Sequence, residues 1–354
     1  MEEIESQERQ RVDAGAGELA SFTVFAYNQE AFVRDAIRGA FAQDYRPLEV
    51  ILSDDGSSDR TFEIMQEEAG TAPADIHVVL NRNPCNLGIA HHINRVIGLA
   101  RGEYVVLSAA DDISLPHRTS ASVRALREDP DGRAVLHATV LNVAVDGAPL
   151  YLRRNPHRAI FGSPALVVAR DAYLTGSSVT LRRGMYADFP PLNADVVNED
   201  KVTAFRCAFR GGAIYIDEPL VHYRAGVGVS TLHGDILRGR EDPVREARYV
   251  RTGLARRLSV LGQMQVDAGT GPLAGNVPTA VLASIEAEAR GLRRALAFMD
   301  EPRAWWLPGL FAAAGLGRKS LKIALLGMAP GLYHRYKVLR HRPARQADGR
   351  AGRT

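Results

Sequence analysis

The chain has 354 residues, 46% of them hydrophobic and 24% charged, with a formal net charge of +3. That is enough apolar material for a sizeable core and, by length, for about two domains. The small net charge leaves no electrostatic footprint for nucleic acid, and no stretch reaches the ~18 uninterrupted apolar residues of a membrane span.

The first residues are acidic and polar, without the basic start and apolar run of a secretory signal. Residues 1–19 therefore read as a disordered leader. From Ser21 the pattern alternates. Phe22 to Ala26 is a buried strand. Phe32, Val33, Ala36, Ile37, Ala40 and Phe41 fall on one helix face. Leu48 to Leu52 is a second strand, ending in the polar turn Ser53 to Asp59, which can cap a helix near Thr61 to Glu68. Ile76 to Leu80 is a third strand. Ile89, Ile93, Val96, Ile97 and Ala100 mark another helix face, and Tyr104 to Leu107 is a fourth strand. Residues 134–145 form a strand or hairpin turning at Asp146-Gly147, followed by a basic loop from Arg153 to Arg158. A second apolar and helical stretch runs to about Tyr223. Two long Arg-, Ala- and Leu-rich helices then span about Pro243 to Ala268 and Pro278 to Met299.

Strands alternating with helices specify an α/β fold, a mostly parallel sheet with helices on both faces. In such sheets the ligand crevice lies at the carboxyl ends of the strands. Three acidic clusters gather there. Asp54 and Asp55 follow the second strand, where a carboxylate either binds a nucleobase or ribose or caps the next helix. Asp111 and Asp112 follow the fourth. Adjacent carboxylates suit a hard cation such as Mg²⁺ or Mn²⁺ that shares its ligands with substrate phosphates; the bland alternative is a solvated loop. Glu199 and Asp200 open a helix with Val202, Phe205 and Phe209 on one face. There an acid serves either the helix dipole or proton abstraction from an acceptor hydroxyl.

Taken together, the blocks FTVFAYNQEAFVRDAIRGAFAQDYRPLEVILSDDGSSDRT, NLGIAHHINRVIGLARGEYVVLSAADDISLP and NEDKVTAFRCAFRGGAIYIDEPLVHYRAG resemble family-2 glycosyltransferases of the GT-A fold. The resemblance covers about Ser21 to Ser230. It implies a GT-A catalytic domain over residues 20–235 with Ala26, Tyr27, Asn28, Glu30, Asp54, Asp55, Asp111 and Arg224 around the nucleotide. It also implies Asp112 with Asp111 on a Mn²⁺ or Mg²⁺ ion, and Asp200 as general base beside Glu199. The implied reaction is an inverting transfer from a nucleoside-diphosphate sugar, UDP-sugar favoured, to a hydroxyl of a glycan or lipid-linked acceptor. One departure is Ala109, where many members carry an acid, giving A-A-D-D rather than D-x-D-D. That departure keeps alive a non-catalytic nucleotide-binding scaffold. A nucleotidyltransferase fits less well, because Tyr27-Asn28-Gln29-Glu30 stands where its Gly-rich basic loop would be.

Other features are read more plainly. His91 and His92 diverge by about 100° on a helix, too far to share one ion, and read as surface residues. Cys85 and Cys207 lack metal-ligand spacing and read as reduced thiols in a cytoplasmic protein. Residues 236–340 read as a helical extension. In it Trp305, Trp306 and Tyr333 alternate with basic residues, either for peripheral contact with the inner face of a membrane or for packing on the catalytic domain. Residues 341–354 read as a disordered basic tail. A homo-oligomer is compatible with this organisation.

Overall fold

The computed structural model describes residues 18–227 and 243–300. The expected leader up to residue 17, the aromatic and basic stretch with Trp305 and Trp306, and the tail lie outside the described residues.

Strands β1 (Ala20–Ala26), β2 (Leu48–Asp54), β3 (Ile76–Arg82) and β4 (Tyr104–Ala109) pair in parallel in the order β3-β2-β1-β4. Helices α1 (Val33–Phe41), α2 (Thr61–Ala69) and α3 (Ile89–Leu99) make the crossovers. β2 is buried along its whole length and β1 almost so. This is why both read as continuous apolar runs rather than alternating ones. α1 buries Val33, Ala36, Ile37 and Ala40, and α3 buries Ala90, Ile93, Val96 and Ile97. These are the stripes of three- and four-residue spacing seen in the sequence.

Beyond β4 the sheet becomes mixed. Next in the chain come β5 (Ile113–Ser114), α4 (Arg118–Glu128), β6 (Val135–Val143), β7 (Pro149–Arg153) and α5 (Pro164–Ala169). They are followed by β8 (Thr180–Arg182), α6 (Arg183–Ala187), α7 (Glu199–Ala208) and β9 (Ile214–Arg224). The sheet continues β4-β8-β6-β9-β5, with β7 hairpinned onto β6. β8 is antiparallel to β4 and β6, while β9 is parallel to β6. Consequently β1, β2, β4, β6 and β9 all end at one edge of the sheet, and the turn that precedes β8 arrives at that same edge.

α8 (Pro243–Gly269) and α9 (Thr279–Asp300) follow. The chain divides into two compact units, and the division does not follow sequence order. Residues Ser259–Ala287 belong with the sheet. The expected boundary between residues 235 and 236 therefore does not mark the end of the first unit. Sixty-one positions separate Arg206 of α7 from Asp267 of α8, yet they pair through two hydrogen bonds of 2.8 and 2.9 Å, with both side chains fully buried. Arg206 also donates to the Pro190 carbonyl and sits over the rings of Tyr186 and Phe189. Gln263 accepts from the Asn193 amide and donates to Asp267. In the second unit the first part of α8 runs against the last part of α9. Arg251 pairs with Asp300 and Arg257 with Glu288, while Val250, Leu254 and Met299 pack on Ala295.

The Arg206–Asp267 pair anchors α7. Removing one partner of a buried ion pair strands the other, at a cost of about 3–5 kcal/mol. Asp267→Ala is expected to lower the unfolding free energy by that amount in urea titration. The double variant Arg206→Met/Asp267→Leu should lose much less, since it strands no charge.

Candidate functional site

The carboxyl edge of the sheet is built loop by loop. After β1, Tyr27 is exposed and Asn28 takes a left-handed backbone conformation with φ 51°. Such a φ is uncommon outside glycine and best tolerated by Asn and Asp. The side chain explains it: Asn28 Oδ1 accepts from the Ser58 amide at 2.9 Å, and the Asn28 amide donates to Ser57 Oγ at 2.8 Å. The Gln29 amide donates to Thr61 Oγ1, the Glu30 amide to Asp59, and Glu30 accepts from the Arg60 amide. The loops after β1 and β2 are thus joined by hydrogen bonds, and Ala26 ends the strand beneath them.

Asp54 and Asp55 are both buried. Asp54 Oδ2 accepts from the Ser57 amide at 3.0 Å and faces Arg82. Asp55 accepts from Asn83 Nδ2 at 2.7 Å and from the amides of Leu87 and Gly88, both at 3.1 Å. Asp55 therefore fixes the loop between β3 and α3 over the site. The cap expected of the Asp54–Asp55 turn comes from Asp59, whose Oδ1 accepts from the Thr61 amide at 3.0 Å.

Past β4, Asp112 is 1% exposed. Its Oδ1 accepts from the Arg224 amide at 3.1 Å. Burial and the neighbouring Asp111 push its carboxyl well above the usual range, while Arg118 and Arg153 pull the other way. Asp111 is less buried, and desolvation raises it as well. Arg118 was hidden in the sequence. It is fully buried, donates to Ser114 Oγ at 2.8 Å and the Leu107 carbonyl at 2.7 Å, and burial brings its guanidinium down to about 9. Arg224, at the end of β9, is also buried. Its guanidinium bonds Asp35 of α1 at 2.6 Å and the Asp111 carbonyl at 3.1 Å, and lies over Phe32. It straps the Asp111-Asp112 loop between α1 and β9, rather than projecting freely toward a ligand.

Glu199 and Asp200 form the first turn of α7. The backbone of Gly176, in the turn before β8, lies against them. A methyl group added there would stand 3.5 Å from both Asp200 Cβ and Glu199 Oε1. Asp200 Oδ1 accepts from the Lys201 amide at 2.9 Å. Lys201 Nζ is held by Asp171 at 2.7 Å. Burial raises both carboxyls, Glu199 further through repulsion from Asp200, while Lys201 restrains Asp200. Because the Gly176 turn sits where β4 ends, Asp200 shares the rim with Asp111 and Asp112.

Asp111 and Asp112 offer hard oxygen donors of the kind Mg²⁺ and Mn²⁺ take. Among the described residues no three His, Cys, Asp or Glu side chains cluster to hold an ion unaided. Substrate oxygens and water can supply further oxygen ligands to such an ion. His92, read from the sequence as a surface residue, is instead buried. Its Nε2 lies 2.7 Å from Ser53 Oγ and its ring meets Phe25 edge-on. A polar residue inside a helix stripe gives no sign of a hydroxyl on the strand below. Cys85 and Cys207 are free thiols, 85 exposed and 207 buried. Among the described residues no helix is long and apolar enough to cross a membrane.

The model of the family Glycosyl transferase family 2 matches residues 21–169. An uncharacterized Mycobacterium tuberculosis protein is 32% identical over 212 residues, 58% of either chain. The chain thus aligns with little more than half the length of that relative. Over shorter segments it is similar to the putative glycosyltransferase EpsE of Bacillus subtilis, 29% identical over 32% of this chain and 40% of that one. Among solved structures, S. aureus TarS in complex with UDP-GlcNAc aligns with a TM-score of 0.53 and 15% identity, covering 91% of this chain and 88% of that one. A mannosyltransferase from Pyrobaculum calidifontis, in complex with GDP-Man and Mn2+, aligns with a TM-score of 0.50 and 17% identity, covering 95% and 93%. The fold is the GT-A fold of these glycosyltransferases.

Gly56 tests the rim. It has φ +70°, and a Cβ there would meet the Cys85 backbone at 2.7 Å. Gly56→Ala is expected to destabilise by about 1–3 kcal/mol, the usual cost of a strained backbone residue, read as a lower melting temperature.

Proposed function

We propose that this chain, whose residues 21–169 belong to glycosyl transferase family 2, transfers a sugar from a nucleoside-diphosphate donor, uridine favoured, to an acceptor hydroxyl. The observation that carries the reading is the rim itself. One sheet edge holds the joined loops after β1 and β2 (Tyr27, Asn28, Glu30, Asp54, Asp55), the acidic pair Asp111-Asp112, and the carboxyls of Glu199 and Asp200. The UDP-GlcNAc bound by TarS and the GDP-Man and Mn2+ bound by the Pyrobaculum enzyme support a nucleotide-sugar donor and a divalent cation.

Asp112 and Asp111 are the residues to hold that cation, which when bound supplies positive charge to a departing diphosphate. The remaining chemistry falls to the chain's own groups. The groove between the first two loops orients the nucleoside. Asp200 accepts the proton of an acceptor hydroxyl, and that oxygen attacks the anomeric carbon from the face opposite the leaving group. One displacement of this kind inverts the configuration. Burial keeps Asp200 a stronger base than a solvated aspartate, and Glu199, raised to about 8 by burial and by Asp200, stays protonated beside it. The acceptor is a glycan or a lipid-linked acceptor.

Asp200 must be ionised to act. Its carboxyl is raised to about 6, so protonation on the acid side removes the base. The transfer rate should be flat above that value and fall about tenfold per pH unit below it. Asp200→Asn should lower the rate by about 10²–10⁴-fold while leaving nucleotide affinity near that of the wild type. A rate unchanged by Asp200→Asn would exclude it as base.

The donor reading is checked by thermal shift with UDP, GDP and Mn²⁺. Ligand at a hundred times its Kd stabilises by about 2.7 kcal/mol. The shift should require metal and disappear in Asp112→Ala. A wild type that no nucleoside diphosphate stabilises, with or without metal, would leave a scaffold as the better reading.

A further inference from the structure

Three arginines stand around Asp112, and two of them are committed. Arg118 is buried on the Ser114 hydroxyl and two backbone carbonyls. Arg224 is buried on Asp35 and the Asp111 carbonyl. The third, Arg153, closes β7. In the sheet register β6 lies between β7 and β9: Arg153 sits opposite Val140, and Tyr223 opposite Asn142 on the other side. The side chain reaches across β6 and lays its guanidinium 4.3 Å from the centroid of the Tyr223 ring. Tyr223 directly precedes Arg224, whose amide binds Asp112. Among the described residues no carboxylate or carbonyl lies within hydrogen-bonding distance of the Arg153 guanidinium, and the side chain is only partly buried. The arginines that follow are occupied, Arg154 by Asp217 and Arg158 by the Asn155 carbonyl.

A guanidinium stacked on an aromatic ring keeps its N–H groups in the plane, aimed outward. Contact with the ring face holds the guanidinium without using a single donor. A planar fork of this kind matches phosphate oxygens bidentately. We propose that Arg153, held over Tyr223 beside Asp112, grips the diphosphate of the bound nucleotide through its N–H groups. This rests on the donor reading given above. Arg153 thereby supplies the uncommitted positive contact that Arg224, strapped to Asp35, does not. In transfer it would stay with the leaving diphosphate as charge builds there.

The test is calorimetric titration of the full chain with UDP and, separately, uridine, with Mn²⁺ and with chelator. The proteins are the wild type, Arg153→Ala, Arg153→Lys and Tyr223→Leu. Hydrogen bonds to charged groups of this kind correspond to a loss of about tenfold to a hundredfold in affinity. Arg153→Ala should weaken UDP by that factor in the presence of Mn²⁺ and leave uridine unchanged. Arg153→Lys should recover part of the loss, since it keeps the charge without the fork. Tyr223→Leu should weaken UDP by a smaller factor. Equal UDP affinity in wild type and Arg153→Ala overturns the assignment while leaving the donor reading intact. So does an equal loss of UDP and uridine, which would mark Arg153 as structural. A wild type that binds no UDP overturns the donor reading and this assignment with it.

Discussion

The structure turns on buried negative charge at one end of a sheet. Taking a carboxylate out of water costs several kcal/mol unless opposite charge and hydrogen bonds replace the lost solvent. Asp112 is 1% exposed and has another carboxylate beside it. Its compensation comes from three directions: the Arg224 amide, the buried guanidinium of Arg118 from α4, and that of Arg153 from β7. Each sits on a different element, so the folds of the β4–β5 loop, α4, the β6–β7 hairpin and β9 are tied to one another through this residue. The mixed half of the sheet can be read as the scaffold that brings cations to the carboxyl end of β4.

The acids of the rim divide by what satisfies them. Asp54, Asp55 and Asp59 accept from backbone amides of neighbouring loops. Their hydrogen bonds fix loop positions, which is what a binding groove requires. Asp111, Asp112, Glu199 and Asp200 have few internal donors, and burial favours their protonated forms. Such groups are primed for a proton or a cation. Perturbed carboxyls of this kind collect where chemistry is done. The fold thus separates acids that fix loop positions from acids left with few internal donors.

Much of this was legible in the sequence because it is local. The stripes of α1 and α3 and the apolar runs of β1 and β2 follow from burial on one or both faces, and the acidic clusters mark strand ends. What was not legible is pairing across distance. Arg206 and Asp267 are ordinary surface types that become fully buried only because each meets the other. Their pairing draws residues Ser259–Ala287 into the first unit, which no local composition signals. Arg118 reads as a helix-surface arginine until β4, β5 and β8 close around it, and His92 reads as exposed until Ser53 is placed beneath it. Arg224 reads from the sequence as a residue of the nucleotide site, but its burial against Asp35 depends on α1 meeting the end of β9.

Ala109 takes on a meaning in this light. Two acids, Asp111 and Asp112, stand with two guanidiniums that act on Asp112, Arg118 and Arg153. Arg224 and Asp35 cancel within their own pair. Burial favours the protonated forms of both acids, so the rim around β4 carries no net negative charge before any ligand arrives. A third carboxylate at position 109 would add negative charge there and would favour a cation more. With alanine there, the attraction for a free divalent ion is weaker. On the proposed reading the nucleotide's diphosphate then supplies the negative charge that makes a cation worth holding. Ion and nucleotide would enter as a coupled pair, each raising the affinity of the other by the same factor, as linkage requires.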